Sequence, residues 1–193
     1  MPNPEETYPF DTLPDYLSPG MRLAFVGINP AVYAVQKGHY FARPSNRFWS
    51  AFSRSRLSLP IREALGRDRL TPEDDARLLP FGIGFTDVVK RPTRNASELS
   101  LSDYREWSPR LLARLDACNP RVACFNGVIG YRHFAHHILG ESKPIFALGP
   151  QPRPLGETRL FVVPSPSGAN AHFTLQDQID WYDHLADFLD NLI

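Results

Sequence analysis

Short apolar runs, each closed by a turn-forming residue, alternate along this chain with longer segments of mixed polarity. Four-residue apolar runs begin at Leu23, Val122 and Leu160, and each is followed directly by glycine, asparagine or proline. Runs of this length without polar alternation are typical of strands buried on both faces of a sheet. A weaker run, Ile145 to Leu148, predicts a further strand.

The segments between these runs carry the start and stop signals of helices. Pro44 fits the first turn of one helix, and Thr71, followed by proline and acidic residues, can cap a second. Ser102-Asp103 opens a helix that should run to about residue 117, in which Pro109 is expected to cause a kink or a division. Thr174 can cap the last helix, whose apolar residues recur at helical spacing.

Strands that alternate with helices predict an α/β fold, specifically a three-layer αβα sandwich with a central, largely parallel sheet. A length of 193 residues suits one domain with a sizeable core, and no internal repeat or linker divides it. Residues 1–19 contain five prolines without periodicity and are expected to form an extended N-terminal arm of that domain.

Charge is balanced in total but not in its distribution. The chain has 21 basic and 21 acidic residues, yet segment 37–67 carries seven basic residues against Glu63 alone. Segment 177–190 carries five aspartates and no lysine or arginine. This asymmetry indicates either a basic face for an anionic partner with an acidic back, or two solvated helix faces of opposite sign.

Several classes of protein are excluded by what the sequence lacks. Cys118 and Cys124 are the only cysteines, so there is no disulfide framework and no four-thiolate metal cluster. No apolar run reaches membrane-spanning length, and a soluble, cytoplasmic protein is expected. His133, His136 and His137 have helical spacing, but no further cluster completes a metal site, so a solvated helix face is favoured and no metal is predicted.

Asn29 is the first candidate for chemistry. It follows the first apolar run, at the end of a strand where an open α/β sheet has its binding crevice. Gly27 allows a ligand to approach the backbone, and Pro30 ends the strand. A side-chain amide here can orient a water or a carbonyl but cannot act as a strong base. Alternatively, Asn29 caps the following turn.

Three segments carry a family resemblance. They are GINP at 27–30 with GHYF at 38–41 and NRFW at 46–49, then GIGFTD at 82–87, then VPSPSG at 163–168. In this order they resemble the mismatch-specific uracil-DNA glycosylases and their thymine-DNA glycosylase relatives, from about Pro19 to the C-terminus. The resemblance implies a monomeric hydrolase, without cofactor, that flips uracil or a related damaged pyrimidine out of DNA and releases it. The alternative is a non-catalytic α/β nucleotide- or DNA-binding module.

The resemblance also assigns roles to residues near the first strand. Asn29 matches the amide that positions the attacking water, and Phe41 matches the aromatic that stacks on the flipped base. Ile28 lies where backbone groups read the base, Tyr33 lies on the turn at the pocket entrance, and Asn46 belongs to the same base-binding group. Phe41 could instead be plain core packing.

The third segment matches the loop that enters DNA in place of the flipped base. Ala169 stands where relatives carry a bulky leucine or arginine, and a methyl group cannot fill the vacated stack. Without the resemblance, the loop would be a simple Pro/Ser/Gly turn. The residues predicted to contact DNA are Arg47, Lys90, Arg91, Ser165, Ser167, Gly168, Ala169 and Asn170.

Asp87 is the second departure from the family pattern. Relatives have a neutral amide or a lysine at this position, whereas a carboxylate can accept a proton from water, so Asp87 and Asn29 are the predicted catalytic pair. The alternative is a structural ion pair of Asp87 with Lys90, Arg91 or Arg94. No lysine matches a catalytic position of the family, so a Schiff-base lyase step is not expected and the enzyme should be monofunctional.

Overall fold

A five-stranded sheet forms the centre of the protein, which a computed structural model describes over residues 8–141 and 147–192. The strand order is β2-β1-β3-β5-β4, and every pairing is parallel except that of β4 with β5. The strands are β1 (Leu23–Gly27), β2 (Ile83–Asp87), β3 (Val122–Asn126), β4 (Gly149–Pro150) and β5 (Arg159–Val163).

Helices cover both faces of this sheet. One layer of side chains, including Leu23 and Phe25 of β1, packs in a cluster with the second and last helices; the other, including Ala24 and Val26, packs with the fourth and fifth. The predicted three-layer αβα sandwich is therefore confirmed. The α-helices are α1 (Val32–Lys37), α2 (Phe48–Phe52), α3 (Leu59–Leu65), α4 (Leu101–Cys118), α5 (Val128–Ile138) and α6 (Leu175–Asp190), with 3₁₀ helices at Arg56–Ser58, Pro72–Phe81 and Ala96–Glu98.

Helix boundaries differ from the sequence expectation in two places. α2 begins at Phe48 rather than at Pro44, because the side-chain oxygen of Asn46 accepts the backbone N–H of Phe48 at 2.9 Å and starts the helix there. α4 remains one helix despite Pro109, because the turns on both sides of the proline are anchored in the core, as by the buried Trp107 and Leu111.

Other capping signals are confirmed, with small shifts. Thr71 is the N-cap as predicted and forms a capping box with Asp74, although the helix that follows is 3₁₀. Ser100, two residues before the expected start, caps α4 through Asp103. Thr174 caps α6 as predicted.

The N-terminal arm belongs to the fold over its described part. Tyr16 pairs with Phe85 of β2 through two backbone hydrogen bonds of 2.9 and 3.0 Å, and Leu13 is 2% exposed. We call residues 12–16 the N-terminal strap. The first seven residues of the predicted arm, and the first two of the four residues predicted as a strand at 145–148, lie outside the described residues; residues 147 and 148 are not in a strand, and β4 begins directly after them.

The charged segments do not separate into one basic and one acidic face. Arg56, from the basic segment, donates to Asp187 of α6 at 2.8 Å, and Arg22 donates to Asp190 at the same distance. At least one arginine of the basic segment therefore pairs with the acidic helix, and a basic face would have to form from the other basic residues of that segment.

Candidate active site

A cavity of about 380 Å³ opens where the carboxyl ends of β1, β2 and β3 meet. Asn29 follows β1, and Asp87 and Asn126 are the last residues of β2 and β3; all three line the cavity. This is the edge at which open α/β sheets bind ligands. The volume lies at the small end of the range for ligand pockets, about 300–1,000 Å³.

Asn29 is held in place by hydrogen bonds to the segment after β2. Its Nδ2 donates to the carbonyl oxygen of Arg91 at 2.9 Å and to the hydroxyl of Thr93 at 2.8 Å. Because a carbonyl can only accept, these bonds fix the orientation of the amide and leave Oδ1 as the acceptor it can offer to a water. Ala31, not Asn29, is the N-cap of α1, so the capping alternative is not supported.

Asp87 is a buried carboxylate at the base of the cavity. Its side chain packs on Gly27, where a Cβ would lie 2.3 Å from Oδ1, so the close approach requires glycine. Oδ2 is buried and has no hydrogen-bond partner among the described residues. The pKa of Asp87 is raised to about 7, mainly by burial. The positive charge of Lys90 lowers it, the negative charge of Asp15 raises it, and the positive charge of Arg114 lowers it.

Two of the three cations that could have paired with Asp87 are engaged elsewhere. Lys90 Nζ lies 2.9 Å from Asp15, and Arg91 donates to both carboxylate oxygens of Asp103 at 2.9 and 2.8 Å. In the part of the chain that the structure describes, no ion pair joins a side chain to Asp87 within 4.0 Å. The ion-pair alternative for Asp87 is therefore not supported.

Asn126 is a candidate that the sequence analysis missed. Its Oδ1 accepts a hydrogen bond from the Tyr182 hydroxyl at 3.2 Å, while its buried Nδ2 has no partner among the described residues. Burial raises the pKa of Tyr182 well above its usual value, so the hydroxyl stays protonated and fixes the amide with Nδ2 as an available donor. The sequence signal is the same as for Asn29, a polar residue that closes an apolar run, but an asparagine followed by glycine is also typical of a turn.

Phe41 forms an aromatic wall of the cavity. Its ring stacks on Phe48 with centroids 4.4 Å apart, and it also lines the cavity, so it is both core packing and a surface for a ligand. Its φ of 54° is uncommon for a residue with a side chain. Such strained conformations persist where the surroundings impose them, often at functional sites.

The other predicted base-binding residues divide between the cavity and its surroundings. Ile28 and Asn46 line the cavity, with the oxygen of Asn46 already accepting from Phe48. Tyr33 does not line it; its ring contacts the ammonium of Lys37, with Nζ 5.7 Å from the centroid. The prediction for Tyr33 is corrected, because the turn of α1 directs Ala34 rather than Tyr33 towards the cavity.

The loop after β5 forms the remaining rim. Ser165, Ser167 and Ala169 line the cavity, whereas Gly168 and Asn170 do not. A Cβ at Gly168 would lie 2.7 Å from the carbonyl oxygen of Ser45, so the loop packs against the segment before α2 through that glycine.

A family model described as the uracil DNA glycosylase superfamily matches residues 14–190. The chain belongs to this superfamily. The match begins within the N-terminal strap, earlier than Pro19. Family membership supports a DNA glycosylase, a hydrolase of DNA repair.

A solved structure shares the fold. It is a solution NMR structure from Methanosarcina acetivorans of a protein provisionally described as a uracil DNA glycosylase. The TM-score is 0.56 at 21% sequence identity, over 93% of this chain and 98% of that chain. At this identity the similarity shows the fold alone.

Two of the basic residues predicted to contact DNA need correction in this superfamily member. Lys90 is 1% exposed and is bound by Asp15, so it cannot reach a phosphate. This pairing has no signal in the sequence, because Asp15 is 75 residues away along the chain. Arg91 is partly exposed, but its guanidinium donates to Asp103, so fewer of its N–H groups are free to bind a phosphate.

Arg47 anchors the rim loop of this glycosylase-family protein rather than pointing outwards. Its guanidinium donates to the carbonyl oxygens of Ser167, Asn170 and Phe173, and its backbone N–H donates to Pro166 at 2.8 Å. The predicted phosphate contact is therefore revised. An effect of Arg47 on DNA would pass through the position of this loop.

We expect Arg47→Lys to loosen the rim loop although it keeps the charge, because an ammonium cannot reproduce the planar fork that reaches several carbonyls. Amide hydrogen exchange in 165–174 should become about tenfold faster, the equivalent of one lost charged hydrogen bond. Arg54→Lys, at an exposed arginine of the same basic segment, is the control and should change nothing. Unchanged protection in Arg47→Lys would contradict the anchoring role.

The three histidines show no metal-site geometry. The His133 ring stacks on Tyr104 with centroids 3.9 Å apart, and the His136 and His137 rings contact each other. Over residues 8–141 and 147–192, no group of three or more His, Cys, Asp or Glu side chains is placed to hold a metal ion. Within the same residues, no helix is long and apolar enough to span a membrane.

Proposed function

We propose that the protein is a monofunctional, monomeric uracil-DNA glycosylase of the mismatch-specific type. It hydrolyses the N-glycosidic bond of a flipped uracil, or of a related damaged pyrimidine, and leaves an abasic site. The observation that carries this proposal is the unpaired carboxylate oxygen of Asp87 in one small cavity with Asn29. A binding module for electron-rich bases would have no use for a buried carboxylate there.

Asn29 and Asp87 would share the activation of water. Oδ1 of Asn29, fixed by the bonds of Nδ2 to Arg91 and Thr93, would accept one hydrogen bond from the water and so orient it. Ionised Asp87 would then take the proton as the oxygen attacks C1′ of the deoxyribose. The N-glycosidic bond breaks, and the electron pair leaves with the base.

Base recognition would fall to Phe41 and Asn126. The free face of the Phe41 ring offers an apolar platform for the base, the opposite face being stacked on Phe48. Nδ2 of Asn126 would donate to a carbonyl oxygen on the base edge, which would satisfy a buried amide that otherwise lacks a partner. Uracil presents carbonyl oxygens there, whereas the exocyclic amine of cytosine does not accept.

The test is direct. The protein is incubated with a labelled duplex that carries one uracil opposite guanine or adenine; alkali then cleaves abasic sites. Strand cleavage at the uracil, absent from a thymine duplex of the same sequence, is expected. Uracil-containing DNA that is bound but never cleaved after alkali would instead favour the non-catalytic module.

We expect Ala169→Leu to raise the single-turnover rate on well-paired duplexes several-fold and to leave the rate on single-stranded uracil unchanged. Ala169 is exposed at the cavity rim, and a leucine there could occupy the vacated stack, whose loss costs about a few kcal/mol per step. Ala171→Leu adds the same bulk at an exposed alanine that does not line the cavity. An equal effect of both substitutions, or none, would show that the rim loop is not the wedge.

A further inference from the structure

A cluster of charged side chains that do not line the cavity lies close to Asp87, and the proposed reaction does not use it. Asp15 is its centre. Oδ1 of Asp15 accepts from the Thr86 hydroxyl at 2.7 Å and from Lys90 Nζ at 2.9 Å, and Arg114 donates to both carboxylate oxygens at 3.1 Å. Lys90 and Arg114 are 1% and 3% exposed, so their charges have little access to water.

The N-terminal strap delivers Asp15 to this place. Tyr16, the next residue, is held by its two backbone bonds to Phe85, and Thr12 donates to the carbonyl oxygen of Lys90 at 2.6 Å. Both anchors lie on β2 or on the segment that follows it. The strap is therefore fixed to the same elements that carry Asp87.

Asp87 is faced by charged or titratable groups from four elements. They are Lys90 after β2, Arg114 of α4, Asp15 of the strap and the Tyr40 hydroxyl. Arg114 also donates to the backbone carbonyl of Asp87 at 3.0 Å. Two cations thus lie close to Asp87, and Asp15 is the anion that pairs with both of them.

We propose that Asp15 is a positioning residue that acts through Asp87: it neutralises Lys90 and Arg114, which would otherwise hold Asp87 as a paired carboxylate. An unpaired, hydrogen-bond-free Oδ2 is then available to water in the cavity. This inference rests on the proposed role of Asp87 in base release. It gives the strap a part in the chemistry as well as in the fold.

The direction of the effect follows from the charges. Burial acts to raise the pKa of Asp15, but Lys90 and Arg114 outweigh it, so the pKa is lowered and Asp15 stays ionised. Burial raises the pKa of Asp87, Lys90 lowers it and the negative charge of Asp15 raises it. Removal of the charge at Asp15 should therefore lower the pKa of Asp87, and removal of Lys90 should raise it.

The test is the pH dependence of the single-turnover rate in Asp15→Asn, with Asp11→Asn as the matched control at an exposed position of the same N-terminal arm. On the acid side of the pH–rate profile, we expect the midpoint for Asp15→Asn to move to lower pH by about one unit. The midpoint for Asp11→Asn should stay at the wild-type pH. A uniform fall of the rate at every pH, with the midpoint unmoved, would show a merely structural role and overturn the proposal.

A second variant keeps the proposal testable if Asp15→Asn does not fold. Lys90→Met leaves the pair of Asp15 with Arg114 in place and should move the midpoint to higher pH. The ¹³C carboxyl resonance of Asp87, assigned by its loss in Asp87→Asn, reports the same titrations without substrate. If uracil is not released but these resonances shift as expected, the proposed function fails and the coupling stands. If uracil is released but neither variant shifts the titration, the coupling fails alone.

Discussion

Replacement of Asp87 by asparagine should lower the single-turnover rate of uracil release by about 10²-fold or more at pH 8, within the usual range for loss of a general base. The carboxylate is ionised there, because the pKa of Asp87 is raised by burial only to about 7. Since only the ionised form accepts a proton, the wild-type rate should fall as the pH drops through 7. The asparagine variant has no such group, so its profile should be flat between pH 5 and 8.

Asn29→Ala separates the two proposed roles. It should also lower the rate by at least about tenfold, but it should keep the acid limb, because Asp87 still titrates. Binding of a duplex that carries an uncleavable uracil analogue, followed by fluorescence anisotropy, should be nearly unchanged in both variants. A full rate in Asp87→Asn across pH 5 to 8 would mean that catalysis rests on Asn29 and backbone electrostatics alone.

The arrangement of the site could be predicted wherever a functional residue lies directly at the end of a strand. Asn29 and Asp87 were found because an apolar run or a motif marks where a strand ends, and parallel strands bring such ends together. The register confirms this, since Gly27 pairs with Asp87 across β1 and β2. Asn126 satisfies the same rule on β3, and was missed only because asparagine followed by glycine also signals a turn.

Residues that act through distant partners could not be predicted in this way. Lys90 is predicted from the sequence to contact DNA, and only the folded chain shows that Asp15 pairs with it in the interior. Arg47 lies in a basic segment, but the guanidinium donates to backbone carbonyls 120 to 126 residues away, which carry no sequence signal. The strap was interpreted as an arm because its prolines and lack of periodicity hide a single backbone bridge to Phe85.

The same substitution, Asp87→Asn, should stabilise the folded protein increasingly as the pH rises. The pKa of Asp87 is raised from 3.8 to about 7 on folding, so the folded state binds the proton more tightly than the unfolded state does. In the wild type, the stability that comes from this tighter proton binding is fully present below about pH 4 and is lost as the pH rises through 7. At about 1.4 kcal/mol per pKa unit, the full loss of stability is on the order of 4 kcal/mol.

Urea denaturation of both proteins at pH 4.5 and pH 8 measures this difference. The free energy of unfolding of Asp87→Asn relative to wild type should be higher at pH 8 than at pH 4.5, because asparagine has no proton to lose. Asp190→Asn removes an exposed carboxylate that pairs with Arg22, and its difference from wild type should vary much less with pH. A constant difference for Asp87→Asn would mean that its carboxylate is ionised in both states at both pH values. A difference that is larger at pH 8 than at pH 4.5 would show that the proposed general base is held in its buried site at the expense of stability.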